Sequence, residues 1–358
     1  MLSVDTLANI WQKAWPIILA ILFFGFIIMS HELGHFSLAK LFKVKINEFA
    51  IGMGPAIFKR KFKETQYSLR LFPIGGFVSM EGEDEESQDD RAFCKKAPWK
   101  RFLIVCAGAV INILLGVVLL AILISQQDLV GTTQIHSFAE GSQLEASGLK
   151  AGDEIYKING RRVFSDADLS YLMFTDTDGS LEITVKRNGE KVSLNDVRFT
   201  TVEKDGVEQI VYDMTILGVD KNIWTVTSCA VKQTASVARL VWMSLGDIIS
   251  GKYGLKDISG PIGTVGVIAD IAEESSKRTD YSGLINIMAF ITINIGVFNL
   301  LPIPALDGGR LLFIVFEMIF RKPVPAKYEN WVHGAALVLL LIFMAVVTFS
   351  DILKLIKG

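Results

Sequence analysis

Two histidines and a glutamate carry the most legible chemistry in this chain. They stand as His31-Glu32-Leu33-Gly34-His35, an H-E-x-x-H pattern. On a helix, residues four apart share a face, so His31 and His35 can turn a ring nitrogen toward one ion. The ion suited to this pattern is Zn²⁺, with Glu32 placed to take a proton from a water beside it. The pattern lies inside an apolar run from Pro16 to Phe36. A glutamate and two histidines within a membrane span are costly, which marks them as a functional site.

A catalytic zinc takes three protein ligands and keeps one position open. His136 lies in a long polar loop. His333 opens the last apolar segment and is a conceivable third ligand. Asp307 is the better one, in Phe298-Asn-Leu-Leu-Pro-Ile-Pro-Ala-Leu-Asp307-Gly-Gly. A lone carboxylate in an apolar run is expensive unless paired or metal-bound. Pro302, Pro304, Gly308 and Gly309 break the helix there, so the backbone can turn Asp307 inward.

Positioning these residues requires membrane-spanning helices. The 358 residues are 51% hydrophobic and 21% charged, with a mean hydropathy of +0.40. That balance predicts an α-helical polytopic membrane protein with a soluble insertion. A net charge of −2 argues against nucleic acid or another polyanion as partner. Three cysteines without CxxC spacing imply neither a disulfide framework nor a cysteine zinc site.

Four apolar segments can cross ~30 Å of hydrocarbon: 16–38, 102–124, 283–320 with its Pro/Gly break, and 332–350. The first holds the metal pattern and lacks a small-residue cleavage site, so it reads as a retained transmembrane helix. Residues 40–101 carry thirteen lysines and arginines, and the short loop 321–331 carries Arg321, Lys322 and Lys327. By the positive-inside rule both loops are cytoplasmic, and 125–282 and both termini are extracytoplasmic. From Ile17 to His31 the helix rises ~21 Å, which puts the zinc toward the cytoplasm.

Between the spans, glycines and prolines punctuate 47–80, and Tyr67-Ser-Leu-Arg-Leu-Phe alternates as a strand does. One or two membrane-associated β-hairpins are expected here, able to pair with an unwound substrate. The acidic run Glu81–Asp90 reads as a solvated loop. Residues 126–220 hold nine basic against seventeen acidic residues, a net charge of −8. Asn159-Gly160 and Asn188-Gly189 mark hairpin turns, and Asp166–Phe174 has helical spacing. This is an inserted α+β module. Residues 221–282 read as an amphipathic helical linker, with Ile223–Ile249 lying on the outer membrane surface or packing on the module. The organisation is then 1–125 with two spans and the hairpin region, 126–220, 221–282, and 283–358 with two more spans.

With HELGH in a first span and N-L-L-P-x-P-x-L-D-G-G in a later one, the chain resembles the site-2 protease family of intramembrane zinc metalloproteases. The segment between spans resembles a PDZ domain, as in the branch that includes the regulator of sigma-E protease. Gly52–Pro55, Phe72-Pro-Ile-Gly-Gly76, Gly108-Ala-Val-Ile-Asn112 and Ser259-Gly-Pro-Ile-Gly263 extend the likeness. The resemblance implies His31, His35 and Asp307 as ligands and Glu32 as catalytic base. It implies substrate contacts at Asn112, Asn299 and Pro302, and the hairpin adds Gly75 and Gly76. It implies single-pass membrane proteins as substrates, anti-sigma factors or signal-peptide remnants among them. One PDZ-like segment stands here where the sigma-E branch has two. The competing expectations are a membrane zinc transporter or sensor, against which stand Glu32 and the lack of paired half-repeats, and an inactive membrane scaffold.

Overall fold

The computed structural model describes residues 4–83, 85, 87–174, 179–204, 207–251 and 260–357, so Ser259 of the Ser-Gly-Pro-Ile-Gly motif lies outside the described residues. The chain divides into two compact units, Met1–Gly116 with Val241–Gly358, and Val117–Leu240.

The first unit is built on helices. They are α1 (Val4–Leu41), the start of α2 (Pro98–Ser125), the end of α4 (Ile223–Ile249), α5 (Pro261–Arg278), α6 (Ser282–Asn299), α7 (Asp307–Phe320) and α8 (Ala326–Lys357). Four helical stretches are long and apolar enough to cross a membrane: Ala14–Leu41, Pro98–Ser125, Ser282–Asn299 and Lys327–Lys354. The third apolar segment is split as its prolines and glycines predict, α6 ending at Asn299 and α7 starting at Asp307. Helix α5 is a separate element inside the segment expected to be linker. Its Ile268 and Ala272 bury against Ala20, Phe23 and Ile27 of α1 and Leu284 of α6.

Strands β1 (Ile46–Phe62) and β2 (Thr65–Met80) form one long antiparallel pair, Phe62 opposite Thr65 at the tip and Ile46 opposite Met80 at the ends. The pair is folded on itself. Residues 48–51 stand between 76–79 on one side and 66–69 on the other. Gly52, Gly54 and Gly75 have φ near +85°, and these left-handed positions allow the bends. The pair lies along α1: Phe36 stacks on Phe49 at 5.0 Å and on Tyr67 at 6.1 Å between ring centroids. Part of the acidic run is bound into this unit, because Glu81 and Asp89 both pair with Lys45.

The second unit is an α+β module. Its main sheet has the order β10-β3-β4-β6-β7, from β3 (Leu129–Phe138), β4 (Glu154–Ile158), β6 (Ser180–Arg187), β7 (Glu190–Arg198) and β10 (Met214–Asp220). Strand β5 (Arg161–Arg162) pairs with β4, and β8 (Thr201–Lys204) pairs with β9 (Val207–Ile210). The turns at Asn159-Gly160 and Asn188-Gly189 have positive φ at all four residues, as two-residue hairpins require. Helix α3 (Asp166–Phe174) buries Leu169 and Met173 against Ile155, Ile158, Leu181 and Ile183. Of the two expectations for Ile223–Ile249, packing on the module is what the first part of α4 does. Arg239 donates to Asp168 at 2.8 Å and Ser236 donates to the same carboxylate at 2.6 Å.

Candidate active site

Helix α1 carries His31 and His35 one turn apart, and both are buried. Their Nε2 atoms lie 3.0 Å from each other. Asp307, the first residue of α7, brings Oδ2 to 2.8 Å from the His31 nitrogen and 3.2 Å from the His35 nitrogen. The Nδ1–H of His35 donates to the Ile104 carbonyl at 2.9 Å, which leaves the Nε2 lone pair facing the cluster.

Close helix contact makes this convergence possible. A Cβ on Gly34 would stand 2.5 Å from the Ala107 carbonyl oxygen, so α1 and α2 cross backbone to backbone. A Cβ on Gly108 would stand 2.5 Å from His35 Nε2 and 2.6 Å from His31 Nε2. The loop after α6 folds tightly over the start of α7, where Gly309 has the Ile303 carbonyl oxygen 2.7 Å from its Cβ position. His333 accepts the Ala305 N–H at 3.0 Å through Nδ1. It stands outside the metal-capable cluster and braces the loop that delivers Asp307.

Glu32 faces the folded strand pair. Its Oε2 accepts the Val78 N–H at 3.1 Å, and the Cβ position of Gly76 is 3.6 Å from its Cγ. Val78 is opposite Phe49 in β1 yet aims its N–H at Glu32. That edge of β2 therefore runs past the glutamate. Gly75 packs on Met53 instead. Asn112 is fully buried one turn beyond Gly108, and neither atom of its amide has a hydrogen-bond partner among the described residues. Asn299 ends α6 half-buried, and Pro302 is exposed in the loop after it.

Three Lewis-base atoms meet, all within 4.8 Å of one another: two imidazole nitrogens and a carboxylate oxygen. With a proton on His35 Nδ1, their mutual approach is favoured by a divalent cation among them. Two nitrogens and one carboxylate oxygen suit Zn²⁺ with one coordination position left open. Sequence reasoning missed two residues near this cluster. Arg310, three residues after Asp307, pairs with Glu83 after β2. Glu83 also accepts the Met80 N–H. The pair links α7 to the strand that holds Glu32, and nothing in local sequence marks it.

The fold and this site are those of a membrane-embedded zinc peptidase. The model of peptidase family M50 matches residues 19–343, and the chain belongs to that family, the site-2 group of intramembrane zinc metalloproteases. A Clostridium acetobutylicum chain that bears a zinc metalloprotease name is 38% identical over 344 residues, covering 94% of this chain and 97% of the relative. The regulator of sigma-W protease RasP of Bacillus subtilis is 28% identical over 95% of this chain and 98% of its own. The zinc metalloprotease RasP of Bacillus licheniformis is 29% identical over 95% and 99%.

Proposed function

We propose that His31, His35 and Asp307 hold the zinc, that Glu32 is the catalytic base, and that the enzyme cuts transmembrane segments of single-pass proteins. The single observation that carries the assignment is the meeting of the His31, His35 and Asp307 atoms beside Glu32. Bound Zn²⁺ supplies Lewis acidity, which makes a water nucleophilic at neutral pH and steadies negative charge on the peptide oxygen. Glu32 takes the proton of the attacking water on its carboxylate and passes it to the leaving nitrogen. The Val78 N–H fixes one oxygen of Glu32 for that task.

A helical substrate has its carbonyls tied up in i to i−4 bonds and must be opened first. The β2 edge beside Glu32 suits an extended segment added as a strand, with Gly76 leaving room for its backbone. Asn112 has an unspent donor and acceptor for a substrate carbonyl or amide. Asn299 at the end of α6 and Pro302 in the loop after it are assigned substrate contacts by the family resemblance alone. The loop charges put this site toward the cytoplasm of a cell membrane and the 126–220 module outside, as a PDZ-like element that screens bulky ectodomains. The RasP name of relatives favours anti-sigma factors as one substrate class, and signal-peptide remnants share the required chemistry.

The test is cleavage of a model transmembrane peptide by the purified chain in detergent, with and without a zinc chelator. Chelator-sensitive cleavage within the apolar segment is expected. A chain that binds zinc but leaves the peptide whole would be a transporter, sensor or scaffold.

A further inference from the structure

The tip half of the β1–β2 pair is exposed in a pattern that catalysis does not use. Ile57, Phe58 and Phe62 are 64%, 58% and 60% exposed. Exposed Lys59, Arg60, Lys61 and Lys63 stand among them. Nearby Lys40 and Arg91 are matched by Glu64, and Arg70 by Glu48. Lys59, Arg60, Lys61 and Lys63 form no ion pair among the described residues. Lysines on an edge strand prevent unwanted pairing, but large apolar residues between them undo that protection in water. Apolar and cationic side chains together match a surface that is oily below and anionic above.

Position along α1 supports the match. The bend of β2 at Pro73 touches Gly25, where an added Cβ would lie 2.7 Å from the Pro73 carbonyl oxygen. The tip end is fixed by Lys40, whose Nζ donates to Thr65 at 2.8 Å. Gly25 and Lys40 are separated by ~22 Å of helix rise. Apolar residues are exposed along the whole of that length, but the unmatched cations gather at one end. Met53, Leu71 and Phe72 stand at the bend. The four cations stand toward the tip: Lys63 lines a cavity with Lys40, and Arg60 lies opposite Tyr67, which packs on Phe36, all near the end of the apolar stretch of α1 at Leu41. A cavity of about 540 Å³ opens at the same level, lined by Phe36, Lys40, Phe62, Lys63, Glu64 and Tyr67.

We propose that the hairpin tip docks on anionic phospholipid headgroups. Lys59, Arg60, Lys61 and Lys63 meet the phosphates, while Ile57, Phe58 and Phe62 enter the acyl boundary. Because β2 continues to Val78, this docking sets the depth at which the strand holds Glu32. The proposal rests on α1 as a membrane span. Each cation contributes about fivefold to affinity for an anionic surface.

The experiment uses the full chain with Cys94, Cys106 and Cys229 changed to alanine and Phe58→Cys carrying a polarity-sensitive fluorophore. It is reconstituted into vesicles of phosphatidylcholine alone, or of phosphatidylcholine mixed with phosphatidylglycerol. The label should be shielded from acrylamide, a neutral aqueous quencher, several-fold better in the mixed vesicles, and raised salt should weaken the shielding. The K59Q/R60Q/K61Q/K63Q variant should lose the difference, and an all-arginine variant should keep it. Equal shielding in both lipids, or a glutamine variant that still discriminates, overturns the proposal. So does shielding restored in phosphatidylcholine by inorganic phosphate, which would make the ligand a soluble anion. Chelator-sensitive cleavage in detergent should be the same for wild type and the glutamine variant, which shows that the variant is folded. Loss of cleavage by the wild type there would count against the protease assignment and leave the docking result standing.

Discussion

Gly108 on α2 presses against His35 on α1 so closely that a Cβ at 108 would lie 2.5 Å from Nε2, the ring nitrogen that meets His31 and Asp307. No side chain fits there without moving the imidazole. Gly108→Ala should therefore lower zinc content and activity together, with a stability loss of about 1–3 kcal/mol from overpacking. Metal analysis and thermal unfolding in detergent are the measurements. Full zinc occupancy in the alanine variant would show that the helices have more freedom than this contact implies.

Glu32→Gln keeps the shape of the side chain and can still accept the Val78 N–H through its amide oxygen. It cannot take a proton from water. Zinc content and unfolding temperature should match wild type, while cleavage falls by about 10²–10⁴-fold. Retained turnover would remove Glu32 from the role of base.

Asp307 and His333 test the proposed division between ligand and brace. Asp307→Ala should reduce zinc per chain sharply. His333→Ala removes the acceptor of the Ala305 N–H and the ring contact with Phe313, and no metal ligand, so it should keep the metal and lose part of the activity as the loop loosens. Metal loss in the His333 variant would reverse the assignment.

Arg310 and Glu83 tie α7 to the exit of β2. Arg310→Glu alone should slow cleavage with zinc still bound, because the strand holding Glu32 drifts relative to Asp307. Adding Glu83→Arg should restore part of the rate. A double-mutant cycle should give a coupling of about 0.5–3 kcal/mol. A coupling near zero would mean the pair is only a surface contact.

The module acts on access in the proposed topology. Replacing 126–220 by a flexible linker should leave cleavage of a short, pre-trimmed substrate largely intact and raise cleavage of one with a bulky ectodomain. Cysteines placed at Lys150 and Lys61 check the topology, since only the first should react from outside an intact cell. Unchanged discrimination in a folded, inserted variant would rule out the filter.

Much of the site was legible in the sequence because its cost is local. A glutamate, two histidines and an aspartate inside apolar runs violate the chemistry of a membrane span wherever they sit, so His31, Glu32, His35 and Asp307 stand out without a structure. Helical period alone puts His31 and His35 on one face, and the left-handed turns at Asn159-Gly160 and Asn188-Gly189 follow from two adjacent residue types. Tertiary structure alone decided the rest, because those features depend on what arrives from distant chain. Gly108 reads as one small residue in a helix until α1 lies across it. His333 reads as a spare ligand until Ala305 occupies its Nδ1. Asp351, 3% exposed on α8, reads as a stray charge near the end of a span. It accepts the N–H groups of Gly260 and Gly263 at 3.2 and 2.9 Å and caps α5 from some ninety residues away. Composition reports that a polar group is out of place, but only the folded chain supplies the partner that satisfies it.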